Sequence, residues 1–314
     1  MQTGRMRLHI DTDFAGDPDD ACALTMVLGW PGAEIVGITT TADPDGRRAD
    51  YLCHLLSMLG RPEIPVAAGA STSLTSGDPM GALPDHERYW GMPVASRPAG
   101  GPSYTELLGR SIELGATVVA IGPYTNMALL ERRRPGALSG VPVVAMGGWV
   151  SPLAEGLPDW GPERDWNVQC DTVAARELYE GTADLTVVAL PAAATACLRA
   201  SHLQRLRASG TTGALLAGQS VAHGVDNAHA ELASRHPGLP DDLVNFHWDP
   251  VTCAVALGWR GATIREVRLG PIITDGSLRL APDDAGRPMR LVTQVDGPAF
   301  DAVWLKAVET AQSG

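Results

Sequence analysis

The feature that most constrains this chain is a short stretch near its start, in which an apolar strand passes through a cluster of aspartates into a helix. Five aspartates fall within the ten positions from 11 to 20: Asp11, Asp13, Asp17, Asp19 and Asp20. One or two acidic residues would suffice to cap a helix and to interact favourably with its dipole. Five carboxylates this close would repel one another unless some were protonated or shared a hard cation such as Ca²⁺ or Mg²⁺. The stretch therefore predicts a metal site.

The residues around the aspartates predict where such a site would lie. Leu8 and Ile10 give the preceding segment the alternating pattern of a strand. Gly16 and Pro18 then indicate a turn, and a helical period of apolar residues begins at Ala21. The aspartates are therefore expected at the carboxyl end of a strand, which is where open α/β sheets bind ligands.

Strands and helices alternate along most of the chain. Apolar strand patterns are found at 34–41, 117–121, 141–146 and 185–190, and helical patterns separate them. Such alternation is typical of right-handed crossovers between parallel strands. No repeat or linker divides the sequence. We therefore expect an α/β fold, a single domain over residues 1–314, with a mostly parallel open sheet of about eight strands flanked by helices.

Three segments differ from this alternation. Residues 71–102 are rich in Gly, Pro and Ser, and a loop of this length is commonly a lid or a binding loop, or else disordered. Residues 201–232 have a long helical pattern. Residues 265–280 contain Asp-Gly between two apolar runs, which predicts a β-hairpin.

Charge and composition exclude several classes of partner. The formal net charge is 24 − 36 = −12, and the chain has no basic block beyond residues 132–134, so a nucleic-acid or anionic-membrane partner is not expected. No stretch approaches the roughly 20 apolar residues of a membrane helix, and no secretory pattern opens the chain, so a cytoplasmic location is expected. The five cysteines form no C-x-x-C pair, and they are expected to be buried apolar side chains.

Five motifs in a fixed order resemble one known family. They are the aspartate cluster, Gly122-Pro-Tyr-Thr-Asn126, Met146-Gly-Gly148, Asp165-Trp-Asn167 followed by Asp171, and Trp248-Asp-Pro250. The chain resembles, over nearly its whole length, the inosine-uridine-preferring nucleoside hydrolases, calcium enzymes that cleave the N-glycosidic bond of ribonucleosides. The resemblance implies their Rossmann-like fold. The turn inside the aspartate cluster is two residues longer than in the family, and this leaves Asp17 without an assigned role.

The resemblance implies a ligand set for Ca²⁺. Asp13, Asp20 and Asp249 would bind the ion through their carboxylates, and Ile121 would offer its backbone carbonyl. The family often has Thr at that last position, and a main-chain ligand tolerates the exchange. Ribose hydroxyls and the attacking water would fill the remaining positions. Asp13 would act as the general base.

The resemblance also implies contacts to the ribose. Asp19 would hydrogen-bond the 2′-hydroxyl, and Asp165 and Asn167 would bind other hydroxyls. Asp165 is one methylene shorter than the glutamate that is usual there. Asp43, in the loop after the second strand, would supply a further ribose contact.

The position before the last calcium aspartate distinguishes two branches of the family. The branch that accepts pyrimidines has a histidine there that protonates the departing base, whereas this chain has Trp248, as in the purine-preferring branch, where an indole stacks on the purine. The segment from His229 to Arg235 also resembles a mobile loop of that branch and could supply a proton. Trp90 could form a second stacking face.

Simpler interpretations stand beside these roles. Trp248 and Trp90 could be core aromatics, and Arg235 could be a surface ion-pair partner. His223 is expected to be a surface or internally satisfied histidine, and His247 to point away from the position of the acid.

The prediction from the sequence is thus a calcium-dependent purine nucleoside N-ribohydrolase of nucleoside salvage, which would act on a small-molecule nucleoside as a homodimer or homotetramer. One alternative is hydrolysis of a modified or non-purine N-riboside, because Asp165 and the longer aspartate loop could alter the pocket. The other is a non-catalytic protein that binds calcium and ribose.

Overall fold

The computed structural model describes residues 5–83, 86–97, 100–182 and 184–312. The strands are β1 (Met6–Thr12), β2 (Ala33–Thr40), β3 (Val66–Ala67), β4 (Thr117–Ala120), β5 (Pro142–Met146), β6 (Asp184–Val188), β7 (Cys197–Arg199), β8 (Leu243–Phe246), β9 (Ala262–Thr274), β10 (Ser277–Pro282) and β11 (Arg287–Val295). The helices are α1 (Asp19–Leu28), α2 (Arg47–Met58), α3 (His86–Trp90), α4 (Tyr104–Glu113), α5 (Thr125–Arg133), α6 (Trp166–Gln169), α7 (Thr172–Gly181), α8 (Leu190–Ala193), α9 (Ala200–Ala208), α10 (Thr211–Asp226), α11 (His229–Arg235), α12 (Trp248–Ala256) and α13 (Gly297–Ala311).

One large mixed sheet organises the described part of the chain. Its nine strands follow the order β10-β9-β11-β6-β5-β4-β1-β2-β3. The pairs from β3 to β11 are parallel, and β9 and β10 are antiparallel to their neighbours. This confirms the predicted α/β fold with a mostly parallel open sheet, which has one strand more than the eight expected.

The predicted hairpin is confirmed as β9 and β10. Asp275 and Gly276 both have positive φ at its turn, 51° and 81°, which is the backbone form that an Asp-Gly pair favours between two antiparallel strands. The sequence did not predict β11 or the separate two-stranded antiparallel sheet of β7 and β8.

The helical pattern at 201–232 is divided into three helices. Gly210 has φ of 137° before α10, and Ala228 has φ of 51° before α11. An alanine at positive φ cannot continue a right-handed helix, so the chain changes direction there. This places the end of α10 and the start of α11 side by side. None of the helices in the described ranges has both the length and the apolar character needed to cross a membrane.

The central strands are buried on both faces, as their continuous apolar sequences indicate. In β4, Val119 packs into the core that contains α1, α12 and α13, whereas Val118 and Ala120 pack into the core beneath α5 and α7. Trp304 on α13 is fully buried and its ring lies 4.4 Å from that of His247, just before α12. The core therefore fixes the position of the β8–α12 junction, which carries Trp248 and Asp249.

We expect Trp304→Ala to lower the free energy of unfolding by about 3–5 kcal/mol, because it removes a fully buried aromatic side chain and leaves a cavity. Urea unfolding followed by far-UV circular dichroism measures this. Ile273→Ala is the matched control, since Ile273 is 55% exposed and its truncation should cost little. Equal losses in the two variants would show that α13 does not stabilise the junction.

Candidate active site

A cavity of about 820 Å³ opens at the carboxyl ends of the parallel strands. Asp13 follows β1, Ile121 follows β4, and Met146 ends β5, and all three line the cavity. Helices α10 and α11 and the β8–α12 junction form its other wall, with His223, His229 and Trp248. This volume is within the range of small-molecule sites.

Three carboxylates meet at the floor of this cavity. Carboxylate oxygens of Asp19, Asp20 and Asp249 lie within 4.8 Å of one another, and all three side chains are buried. The N–H groups of Asp20 and Asp249 donate to Asp19, at 3.0 and 3.3 Å. The hydroxyl of Thr12 donates to Asp20. Local hydrogen bonds thus hold Asp19 and Asp20 at the first turn of α1.

The cluster fits a hard divalent cation. Burial raises the pKa of Asp19, Asp20 and Asp249 well above the usual range, and repulsion among the aspartates raises it further. Among the described residues, no arginine or lysine forms an ion pair with any of these three carboxylates. A donor set made entirely of carboxylate oxygens is what Ca²⁺ or Mg²⁺ prefers.

Asp13 lines the same cavity beside this cluster. Trp166 donates its indole N–H to Oδ2 of Asp13 at 2.8 Å. Burial raises the pKa of Asp13, although the nearby Arg48 guanidinium and the Trp166 hydrogen bond oppose the increase. Gly122 approaches closely, since a Cβ there would lie 2.6 Å from the backbone nitrogen of Asp13. The glycine of the Gly122-Pro-Tyr-Thr-Asn126 motif therefore makes room for Asp13.

Arg48 is a buried cation that the sequence analysis missed. It lines the cavity and donates to the backbone carbonyls of Asp13, Phe14 and Ala42. Its guanidinium thereby ties the aspartate loop to the start of α2. No sequence signal marks it, because an arginine in the first turn of a helix is usually exposed.

Asp165 and Asn167 lie on the cavity wall. Asp165 caps α6, and its carboxylate accepts hydrogen bonds from the N–H groups of Gly148 and Val168. Burial raises the pKa of Asp165 to about 6, against the effect of these two bonds. Asn167 donates to the carbonyl of Met146 at 3.1 Å. Both side chains are thus held in place by backbone groups.

An aromatic wall borders the other side of the cavity. Trp248 stacks on Phe246 with ring centroids 4.7 Å apart and an interplanar angle of 20°. Trp160 lies 6.1 Å from Trp248 and 5.5 Å from Phe246. All three residues line the cavity, so we define the aromatic wall as Trp160, Phe246 and Trp248. The position of Trp160 is not predictable from the sequence, because its loop has no periodicity that would indicate it.

Trp90 and Asp43 lie elsewhere, which corrects their expected positions. Trp90 packs in the core against Tyr51, with centroids 4.9 Å apart, and does not line the cavity formed by the described residues. Asp43 also lies outside the cavity lining. Its carboxylate accepts hydrogen bonds from the hydroxyl of Thr40 at 2.6 Å and from the N–H of Arg48 at 2.7 Å. These bonds fix Asp43 at the start of α2 rather than leaving it free to bind a ribose.

Arg235 is a surface residue that pairs with Glu231 one helical turn earlier, and it is absent from the cavity lining of the described residues. Its side chain is 68% exposed. The simpler interpretation, a surface ion pair, therefore agrees with the structure.

Three histidines near the cavity differ in their surroundings. His247 is fully buried against Trp304 and does not line the cavity, and burial lowers its pKa to about 3. His229 lines the cavity, but its Nδ1 lies 2.9 Å from the carbonyl of Val244 and burial lowers its pKa. His223 also lines the cavity, and its Nε2 lies 3.2 Å from Oδ2 of Asp17.

The comparisons with known proteins identify the family. The sequence model described as "inosine-uridine preferring nucleoside hydrolase" matches residues 8–302. The chain therefore belongs to the inosine-uridine preferring nucleoside hydrolase family, and the resemblance seen in its motifs is confirmed. It is 32% identical over 220 residues to the pyrimidine-specific ribonucleoside hydrolase RihA of Salmonella schwarzengrund (strain CVM19633), an alignment that covers 65% of this chain and 67% of the relative.

Solved structures share the fold. The plant nucleoside hydrolase PpNRh1 superposes with a TM-score of 0.81 at 21% identity, over 96% of this chain and 98% of that chain. A purine-preferring ribonucleoside hydrolase from Gardnerella vaginalis gives a TM-score of 0.79 at 22% identity, over 98% and 100% of the two chains. At these identities the likeness establishes the nucleoside hydrolase fold.

Metal binding should be measurable without any enzyme assay. If the carboxylate cluster binds Ca²⁺, then a concentration of 100 times Kd stabilises the folded state by about 2.7 kcal/mol, which corresponds to a rise in Tm of roughly 5 °C. We expect differential scanning fluorimetry to show this rise, and Asp249→Asn to abolish most of it. Asp241→Asn is the control, because Asp241 is 99% exposed. If neither Ca²⁺ nor Mg²⁺ changed the Tm of the wild-type protein, the proposed metal site would be contradicted.

Proposed function

We propose that this nucleoside hydrolase catalyses the calcium-dependent hydrolysis of purine ribonucleosides to free base and ribose. The observation that carries the proposal is a single cavity with the carboxylate cluster on its floor and the aromatic wall on its side. The floor suits a cation and a sugar diol, and the wall suits a flat heterocycle. A ribonucleoside contains both a sugar diol and a flat heterocycle.

The proposed metal ligands are the carboxylates of Asp13, Asp20 and Asp249 and the backbone carbonyl of Ile121. When bound, Ca²⁺ would fix the ribose 2′- and 3′-hydroxyls and lower the pKa of the attacking water. Asp19 belongs to the same cluster of carboxylates, so it is well placed to accept a hydrogen bond from the 2′-hydroxyl beside the cation.

Asp13 is the proposed general base. Its carboxylate lines the cavity, where it can accept a proton from a bound water, and burial raises its pKa above the ordinary value. The hydrogen bond from Trp166 to Oδ2 occupies one carboxylate oxygen. Oδ1 is then the oxygen that would accept the proton from water. Asp165 and Asn167 are the proposed contacts to the remaining ribose hydroxyls.

The carboxylates would also stabilise the transition state. As the C1′–N bond lengthens, positive charge develops on the ribose ring, and fixed negative groups beside it lower the barrier. In the free protein the carboxylates repel one another. Once the ribose ring carries positive charge, the same carboxylates attract it.

Trp248 is the proposed determinant of purine preference. A purine overlaps an indole over two rings, whereas a pyrimidine overlaps it over one, and base–aromatic stacking contributes about 1–3 kcal/mol. Trp160 takes the place of Trp90 as the second aromatic side chain of the wall. The Salmonella relative named above is pyrimidine-specific, so a pyrimidine or modified base is the outcome that competes with a purine. A non-catalytic calcium and ribose binder is the third candidate.

We expect Asp13→Ala to lower kcat by at least about 10²-fold, because the water loses its proton acceptor. Binding through the other ribose contacts should persist, and calorimetric titration with the nucleoside would measure it. Release of base and of reducing sugar measures turnover. An Asp13→Ala enzyme with wild-type kcat would exclude the role of general base, and a wild-type protein that binds ribose but releases no base would favour the non-catalytic candidate.

We expect kcat/KM to be higher for inosine and guanosine than for uridine and cytidine. Trp248→Ala should reduce kcat for the purines more than it raises KM, because stacking strengthens as the base gains a proton. Steady-state assays of the four nucleosides with both proteins test this. Trp259→Ala is the control, since Trp259 does not line the cavity formed by the described residues. Faster hydrolysis of uridine than of inosine would reject the purine preference but not the nucleoside hydrolase activity.

The proposal includes a homodimer or homotetramer and a cytoplasmic location, both of which follow from the sequence expectations. Sedimentation equilibrium of the purified protein tests the first, and a monomer at micromolar concentration would reject it.

A further inference from the structure

The proposed reaction needs a proton that stacking alone does not supply. When the C1′–N bond breaks, its electron pair goes to the base, and a base that leaves without a proton is a poor leaving group. The family's histidine position is Trp248 in this chain, and an indole carries no proton that is acidic enough to transfer. The acid must therefore lie elsewhere on the cavity wall.

Three other side chains near the cavity do not meet this need. His247 and Arg235 are absent from the cavity lining of the described residues. His229 does line the cavity, but Nδ1 must carry a proton to donate to the carbonyl of Val244, so Nε2 of the neutral ring is an acceptor. His229 can thus receive a hydrogen bond from the base but is not poised to give a proton.

His223 has the arrangement that an acid requires. It lines the cavity near the end of α10, and its Nε2 lies 3.2 Å from Oδ2 of Asp17 and 3.2 Å from the side-chain amide nitrogen of Asn227. Asp17 is itself fixed, since its Oδ1 accepts from the side-chain amide of Asn245 at 2.6 Å and from the N–H of Asp19 at 3.1 Å. Nδ1 of His223 has no hydrogen-bond partner among the described residues. A carboxylate that holds one imidazole nitrogen orients the ring and stabilises its charged form.

We propose that His223 is the catalytic acid that protonates the departing base, with Asp17 as its positioning residue. This inference rests on the proposed N-ribohydrolase function and names the residue that activates the leaving group. Nδ1–H donates to a ring nitrogen of the base as the C1′–N bond breaks. The attacking water forms the new C1′–O bond and gives its proton to Asp13. Return of that proton through solvent to His223 restores both residues, so the net change is nucleoside plus water to base plus ribose.

The groups around His223 support a protonated ring. Asp17 faces it from the aspartate loop, and Asp226 lies one turn further along α10, where it is paired with Arg88 and Tyr89 of α3. His229 of α11 is the nearest other titratable ring, 5.6 Å away. Burial lowers the pKa of His223, but the charge and hydrogen bond of Asp17 outweigh this and raise it above the ordinary value.

This role also accounts for the longer aspartate loop. The two additional residues of that turn bring Asp17, which the family pattern leaves without a role, to the base side of the cavity. Asp17 follows the strand that supplies the general base and contacts the helix that supplies the acid. A single loop thus spans both halves of the reaction.

The test compares two kinds of leaving group in the wild-type protein and in variants of His223 and Asp17. 4-Nitrophenyl riboside releases a phenolate that is stable as an anion, so its cleavage needs no acid, whereas inosine and uridine need one. We expect His223→Gln to lower kcat/KM for the better of the two nucleosides by about 10²-fold or more and to leave that for the nitrophenyl riboside close to the wild-type value. Asp17→Asn keeps the shape of the side chain and should produce the same pattern with a smaller loss.

The controls separate this inference from the proposed function. His236→Gln changes a histidine outside the cavity lining of the described residues and should match the wild type on every substrate. Equal losses on both leaving groups, in His223→Gln and Asp17→Asn alike, would mean a structural role and would overturn the assignment of the acid. Full activity of His223→Gln on the nucleoside would overturn it also. A wild-type protein that cleaves none of the three ribosides would reject the N-ribohydrolase function itself.

Discussion

Repulsion among buried carboxylates dominates the electrostatics of the cavity floor. Asp19, Asp20 and Asp249 hold their oxygens within 4.8 Å of one another, away from solvent, with pKa values raised by burial and by mutual repulsion. Such a cluster is costly unless a cation or a developing positive charge compensates it. Hydrogen bonds from the N–H groups of Asp20 and Asp249 to Asp19, and from the Thr12 hydroxyl to Asp20, keep these groups in place despite that cost.

The cavity divides the chemistry between two kinds of surface. Its floor is made of the carboxylates of Asp19 and Asp20 on α1 and of Asp249 on α12, and it is the proposed site of the cation and the sugar hydroxyls. Its wall is made of Trp160, Phe246 and Trp248, where a base can stack. Asp17 connects the two parts because its loop leaves the floor and its side chain contacts His223 on α10. In our proposal, the loop that follows β1 therefore contributes both to activation of the water and to protonation of the leaving group.

The sequence predicted those parts of the molecule that local patterns determine. Alternating apolar periods predicted the α/β fold, and the Asp-Gly turn predicted the hairpin. The density of aspartates predicted a cluster of carboxylates. Contacts between segments that are distant in the sequence could not be predicted in this way. Trp90 and Trp160 are both aromatics in irregular loops, and only the folded chain shows that the first packs in the core and the second at the cavity. Likewise, no local pattern indicates that His223 meets Asp17, which lies 206 positions earlier (223 − 17 = 206).

We expect the floor of the cavity to bind a cation and a ribose together. A crystal structure of the protein grown with Ca²⁺ and ribose would show whether it does. It should contain one ion with carboxylate oxygens of Asp13, Asp20 and Asp249 and the carbonyl oxygen of Ile121 at about 2.3–2.6 Å, and with two ribose hydroxyls in its coordination sphere. Ribose bound elsewhere, or an ion absent from the carboxylate cluster at saturating Ca²⁺, would contradict it.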